Sequence, residues 1–208
     1  GGKNMAKIMN VDYEAMPGQA KQIRGAAKQL NSEMTKAYNS VQKMHGSWYG
    51  QRYNELVNGF NEMIPQLNEL LTLVVTEIPF ALETIANNYA QADKGSNVTS
   101  ASNEAPAKIT NIAVSNDVGM RFITSEVASI QEQVSSNFKN AKDQMDKIES
   151  TYGTIRWSSE AADAFKARFT KLKASISSSF ENIEKQFRKL MLQAQQDVEN
   201  AETSNTQK

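Results

Sequence analysis

The sequence contains no cysteine and a single histidine, with only four prolines and ten glycines in 208 residues. Without cysteine there is no disulfide framework, no thiolate metal site and no cysteine nucleophile. His45 alone cannot build a His-His metal pair or a histidine proton relay, so neither metal nor other cofactor is expected. An excess of charge of one sign is missing as well. The chain carries 23 basic and 23 acidic residues, nine against ten in residues 1–104 and fourteen against thirteen in residues 105–208. A nucleic-acid binder needs a basic surface excess, so no nucleic-acid partner is expected. Long apolar runs are also lacking. The longest, Leu70–Leu82, covers 13 residues and contains Glu77 and Pro79, which is too short and interrupted for a membrane span. The opening GGKNMAKIMN has no apolar core region, so no secretory signal peptide is expected, and Met5 reads as the natural start behind Gly1–Asn4. With 39% hydrophobic residues the chain can build a core without staples, as a soluble protein.

What is present is periodicity. Met16, Ala20, Ile23, Ala27, Leu30, Met34, Ala37, Val41 and Met44 follow in steps of three and four, the spacing of one helix face. The pattern stops at His45-Gly46-Ser47-Trp48-Tyr49-Gly50, read as a turn, and resumes from Leu56 through Phe60, Met63, Leu67, Leu71, Val74, Ile78, Leu82 and Ile85 to Tyr89. This second helix spans about 40 residues, or roughly 60 Å. Pro65 and Pro79 fall inside it and predict local kinks without a break. A Ser/Asn-rich linker follows over residues 94–117. The helical spacing then returns at Ile123, Val127, Ile130, Val134, Phe138, Ala141, Met145, Ile148 and Tyr152. After a second turn around Trp157-Ser158-Ser159 comes a fourth helix, with Phe165, Phe169, Leu172, Ile176, Phe180, Ile183, Phe187, Leu190 and Ala194 on its face. Ser175–Ser179 reads as a solvated face, and Thr203–Lys208 as a frayed polar tail.

These elements form an internal repeat. With Trp48 placed on Trp157, an offset of 109, Leu56 falls on Phe165, Phe60 on Phe169, Met63 on Leu172, Leu67 on Ile176 and Leu71 on Phe180. The preceding helices match at an offset of 107. Each long hairpin alone leaves an apolar stripe exposed, and two facing hairpins bury it. The expected fold is therefore all-α: two helix-turn-helix hairpins, residues 1–93 and 118–208, packed as an antiparallel four-helix bundle. Near-heptad spacing predicts shallow crossing angles.

Trp48-Tyr49-Gly50, lying in the turn between two long helices of a repeat of about 100 residues, resembles the signature of the WXG family. These are small helical-hairpin proteins, the early-secreted-antigen-like substrates of type VII secretion in Gram-positive bacteria and mycobacteria. The second copy has Trp157-Ser158-Ser159, with Ser159 in place of the glycine, so its turn must take a conformation open to a side chain or carry modest strain. A second family feature is Tyr-x-x-x-Asp/Glu near the end of the second helix, part of the export signal. Tyr89-Ala90-Gln91-Ala92-Asp93 fits it, and the i, i+4 spacing puts ring and carboxylate on one face. At the same distance after Trp157 stands Val198-Glu199-Asn200-Ala201-Glu202, which keeps the acid and lacks the tyrosine.

Plainer roles exist for each of these residues. The tryptophans can plug the bundle ends, Tyr89 can serve as a core residue with its hydroxyl at the rim, and Asp93 as a solvated charge near a helix end. His45 reads as a helix C-terminal residue near the last carbonyls. No nucleophile, base or carboxylate pair is singled out. The resemblance implies a non-enzymatic secreted protein, acting as export substrate, effector or adaptor. Its partners would be the type VII secretion ATPase and a co-secreted protein. Tethering would make the pairing intramolecular, with effective concentrations on the order of mM. The linker length permits either a monomeric pseudo-dimer or a swapped homodimer. The competing readings are a membrane-active pore-forming protein, in which Leu70–Leu82 enters lipid, and a cytoplasmic helical scaffold.

Overall fold

The computed structural model describes residues 10–206; Gly1–Asn4, Met5 and the last two residues of the tail lie outside the described residues. Helix α1 covers Met16–Lys43. The Asp12 carboxylate accepts the Ala15 N–H at 3.2 Å ahead of it, and Pro17 occupies the first turn, where its missing donor costs nothing. Every position expected on its apolar face, Met16 through Met44, is buried. A 3-10 turn at Met44–Gly46 leads to the short strand β1, Trp48–Tyr49. The second helix then runs as α2, Gln51–Leu71, a π-helical segment, Thr72–Glu77, and α3, Ile78–Lys94. Gly95 ends it in the left-handed conformation, φ 73°, with its N–H on the Gln91 carbonyl at 3.0 Å. Strand β2, Arg121–Phe122, pairs antiparallel with β1, Trp48 opposite Phe122 and Tyr49 opposite Arg121. Helix α4 covers Thr124–Gly153, and α5 covers Glu160–Thr206.

The expected antiparallel four-helix bundle is what forms, with the two-residue ribbon as an addition. Helix α1 packs along α4: Gln19 at its start reaches the Thr154 carbonyl at 3.2 Å, and just beyond its end the Ser47 carbonyl accepts the Ile123 N–H at 2.9 Å. The second helix packs along α5, with Arg52 3.1 Å from Asp197 at one end and Arg168 3.0 Å from Glu77 further down. Phe138 and Phe180 stack at 4.3 Å in the middle of the bundle, and Phe60 lies 5.9 Å from Phe138. These rings weld the two hairpins into one core.

Three details differ from the sequence reading. Pro65 sits inside α2, whereas the helix widens into the π segment just before Pro79. Pro79 cannot donate to the Val75 carbonyl and its ring crowds that group, so a wider turn relieves both. Ser175 is half-buried and donates to Gln66 Oε1 at 2.9 Å, so the serine run serves the α2–α5 seam as well as solvent. Helix α5 continues to Thr206, with Thr203 and Thr206 hydroxyls donating to carbonyls of the preceding turn.

The linker is laid along the first hairpin as an extended strap. Asn68 accepts the Ile109 N–H and donates to the Ile109 carbonyl, each at 2.9 Å. Asn61 does the same with Ile112, at 2.8 and 2.9 Å, and Asn54 accepts the Ser115 N–H at 3.0 Å. Seven helical residues rise about 10.5 Å and three extended residues span about 10 Å, so the two chains stay in phase. Within the π segment the polar row restarts one residue late, at Thr76, and continues seven residues on at Glu83 in α3. Thr76 donates to the Glu104 carbonyl at 2.5 Å, Glu83 accepts the Ser102 N–H at 3.2 Å, and Asn87 accepts the Val98 and Thr99 N–H groups. From the other side α1 offers Arg24 to the Ser102 carbonyl, Asn31 to the Ala107 carbonyl and Gln42 to the Ala113 N–H.

Arg24 and Glu83 form a bidentate pair at 2.6 and 3.2 Å, and the Glu83 side chain is only 7% exposed. Removing one partner leaves the other charge buried and the strap N–H of Ser102 unpaired. Glu83→Ala is therefore expected to cost about 3–5 kcal/mol. In a chain of this size that lowers the thermal midpoint by about 10 °C. A shift below about 2 °C in thermal circular dichroism would show that the pair does not hold α1 to α3.

Candidate functional site

The residues singled out in the sequence lie at the two ends of the bundle. At the first end Trp48 is 1% exposed. Its ring meets Phe122 edge-on at 5.4 Å, Tyr53 at 6.1 Å and Phe187 of α5 at 6.2 Å. Gly50 has φ 124° and ψ −173°, a backbone conformation closed to L side chains, and it leads directly into α2. The nearest atom to a Cβ there would be the Gly119 carbonyl oxygen at 4.0 Å, so the glycine is required by backbone angle rather than by space. Helix α5 passes beside this turn at Ala194 and Asp197, and its Val198–Glu202 segment therefore sits at this end. His45 lies in the 3-10 turn rather than in α1 itself, exposed, with Nδ1 3.7 Å from Asp117 of the strap.

At the opposite end the second turn is built differently. No described non-glycine residue has positive φ, and Ser159 caps α5, its Oγ accepting the Ala162 N–H at 3.0 Å. The serine thus replaces a glycine conformation with a capping side chain, and no strain is stored. Trp157 is half-buried, tilted 6.4 Å from Phe165, and borders a cavity of about 480 Å³ with Tyr152, Ile155, Ala162 and Phe169.

Tyr89 and Asp93 share this second end with Trp157. Tyr89 is half-buried and Asp93 exposed. Tyr13, just ahead of α1, donates its hydroxyl to Asp93 Oδ2. Lys94 Nζ stands 5.8 Å over the Tyr13 ring and 3.4 Å from Glu14. The neighbouring Asp12 N–H donates to the Arg156 carbonyl at 3.3 Å, which ties the segment to the Trp157 turn. Tyr13 as the partner of Asp93, and Phe122 as the cover of Trp48, carry no local sequence signal, because both lie in short segments outside the helical pattern. Among the described residues no three His, Cys, Asp or Glu side chains converge as a metal site would require. The apolar run Leu70–Leu82 is folded into the core, with Leu70, Leu71, Leu73, Val74, Val75, Ile78 and Leu82 all buried. No described helix is long and apolar enough to cross a membrane.

The fold defines a class: paired helical hairpins with a tryptophan turn, buried against each other along their apolar faces. Residues 8–94, essentially the first hairpin, match the family described as proteins of 100 residues with WXG. No curated protein and no solved structure matches the chain. The family is associated with substrates of type VII secretion in Gram-positive bacteria and mycobacteria, and its members are secreted helical proteins that work with that machinery.

The two turns make opposite demands on substitution. Gly50→Ala forces an alanine to φ 124° and is expected to cost about 1–3 kcal/mol. Ser159→Ala is expected to cost about 1 kcal/mol through the lost cap, while Ser159→Gly costs only a few tenths. Denaturant unfolding of the three variants reads the order directly. A Gly50→Ala loss no greater than that of Ser159→Gly would refute the turn assignment.

The Tyr13 contact has a titration signature. Its hydrogen bond to Asp93, then burial, then the charges of Asp93 and Glu14 push its pKa from 10 up to about 12. The folded value is raised, so this stabilising contribution is full below pH 10 and is lost as pH rises through about 12. Tyr53 and Tyr152 are also raised to about 12, mainly by burial, so the phenolate absorbance of the parent must be compared with that of Tyr13→Phe. In Asp93→Asn the Tyr13 midpoint is expected to fall back toward 10; an unmoved midpoint would exclude the contact.

Proposed function

We propose that this chain is a non-enzymatic protein exported by a type VII system, in which two WXG-type hairpins have been fused so that the export substrate is always paired. One observation carries this reading: Tyr89 and Asp93 lie one helical turn apart at an exposed bundle end, next to the tryptophan turn of the other hairpin. A receptor approaching that end meets part of an aromatic ring and a carboxylate on a rigid helix, which needs little ordering on binding. The reader proposed for it is the secretion ATPase. Once outside the cell the bundle acts as an effector or as an adaptor for a co-secreted protein. The second copy has no tyrosine at the corresponding place, so export is assigned to the first copy alone. Pairing is taken to be intramolecular, a monomeric pseudo-dimer, because the strap is bound along its own hairpin throughout.

The test is made in the producing strain. Tyr89→Ala or Asp93→Ala is expected to lower the amount in the culture supernatant at least about tenfold, the scale on which loss of one anchoring side chain acts. The cellular amount should be unchanged. Tyr13→Phe serves as the control, since it releases Asp93 without removing it, and export should persist. Equal supernatant amounts of the parent and both alanine variants would remove the export role from this motif.

A further inference from the structure

The groove between α1 and α2–α3 treats the strap as a peptide ligand. Almost all polar contact is to the strap backbone: the side chains of Asn54, Asn61, Asn68 and Asn87, with Arg24 and Glu83, hold its N–H and carbonyl groups. The strap's own side chains contribute little. Ile109 and Ile112, three residues apart, are 4% exposed and enter the core, while Lys108, Thr110, Asn111 and Ala113 point outward. The ion pair between Lys28 and Glu104 is more than half exposed on both sides and adds little. Such a groove selects extended conformation and two aliphatic residues at a spacing of three, and accepts many sequences otherwise.

We propose that this groove is a binding site for an extended peptide segment of another protein, with residues 98–115 as its built-in occupant. The partner's chemistry follows from the resident: an extended stretch of no net charge, carrying β-branched aliphatic residues three apart. Neutral amides line most of the row, so no net charge is demanded. Release of the strap does not require the hairpins to part. From Lys94 to Arg121 the contour length is about 90 Å, against the roughly 50 Å of helix it spans. A free segment is favoured over a second copy of this chain. An exchanged strap would bring its own second hairpin, whose place on α1 and α2 is already filled by α4 and α5. The tethered occupant acts at an effective concentration of the order of mM, so it keeps the groove closed against weak competitors. Recognition resembles β-augmentation, with a row of side-chain amides standing where a strand edge would be.

A fluorescent peptide spanning Glu104–Asp117, titrated into the purified full chain and followed by anisotropy, tests this. The strap is loosened in a variant carrying Ile109→Asp and Ile112→Asp. Saturable binding to the loosened chain is expected, at least about tenfold tighter than to the parent. Adding Asn61→Leu and Asn68→Leu to that chain should abolish it, and a peptide with both isoleucines replaced by aspartate should not bind. The proposal is overturned if a folded loosened chain shows no saturable binding, or binds equally with and without the two asparagines. It is likewise overturned if the loosened chain becomes a stable dimer by solution mass, each strap in the other's groove. Should circular dichroism show the aspartate variant unfolded, Ile109→Ser with Ile112→Ser takes its place under the same outcomes. No secretion is measured, so the result stands apart from the export assignment.

Discussion

Two long hairpins that pack antiparallel place the end of the first and the start of the second at opposite ends of the bundle. The strap and the polar row that holds it follow from that constraint. Lys94 lies beside Glu14 and Tyr13, whereas Ile123 bonds to Ser47, a full helix length away. The connection must therefore cross roughly 50 Å, and a loose chain would lose conformational entropy without return at each ordered residue, about 1–2 kcal/mol. The polar row on α1 and α2–α3 supplies the compensation: each strap amide it binds gives a hydrogen bond in a half-buried setting, and Ile109 and Ile112 add apolar burial. The π segment belongs to the same solution. It relieves the crowding before Pro79 and shifts the polar row by one residue, so that Thr76 and Glu83 both face the strap.

The pseudo-twofold relation between the hairpins is kept in backbone and broken in side chains. In both turns the carbonyl just before the tryptophan accepts an N–H from the segment leading into the partner hairpin's first helix: Ser47 from Ile123, Arg156 from Asp12. At Trp48 that segment is a strand ending in Phe122, which closes the aromatic cluster. At Trp157 the cluster stays open and a cavity remains. One end thus puts its tryptophan into stability. The other leaves an aromatic surface, a helix-borne carboxylate and a tyrosine contact within reach of solvent. A bundle of two identical halves could not divide these tasks.

Much of this was legible in the chain. The three-and-four spacing located all the long helices, because a buried face repeats along the entire length of a helix and no tertiary detail is needed to see it. The internal repeat made the antiparallel pairing readable, since a single stripe on each hairpin has only the other hairpin to cover it. The strap escaped for a definite reason. Asn54, Asn61 and Asn68 stand seven apart, while their repeat counterparts are Asp163, Thr170 and Ser177. That asymmetry was visible, yet a polar stripe facing a strap and one facing water look alike until something lies on it. Composition misled too: Ser and Asn in the linker signal flexibility when their backbone is unbound, and here the partners of that backbone lie some 11 to 78 residues away in the chain. The Tyr13–Asp93 contact was out of reach for a similar reason, being made between residues 80 apart, neither in a repeating pattern.

The choice of asparagine for the strap contacts has its own logic. An apolar groove would hold a strap through side-chain burial, which ties both partners to one sequence and makes release costly in proportion to area. A carboxylate row would bind N–H groups strongly but repel carbonyls, and a lysine row the reverse. The primary amide alone offers donor and acceptor from one short, uncharged side chain, matching the N–H and C=O that a single extended residue presents on one edge. Asn68 and Asn61 use both functions on Ile109 and Ile112. Each such pair is modest in net free energy, about 1 kcal/mol per bond, because water offers the same bonds to the freed strap. Many small, separable contacts in register give a strap that is well positioned along the whole helix and can still leave it residue by residue. The chain therefore holds its crossover in place largely by geometry, with Ile109 and Ile112 as its anchors in the core, while the bundle beneath it is held by burial.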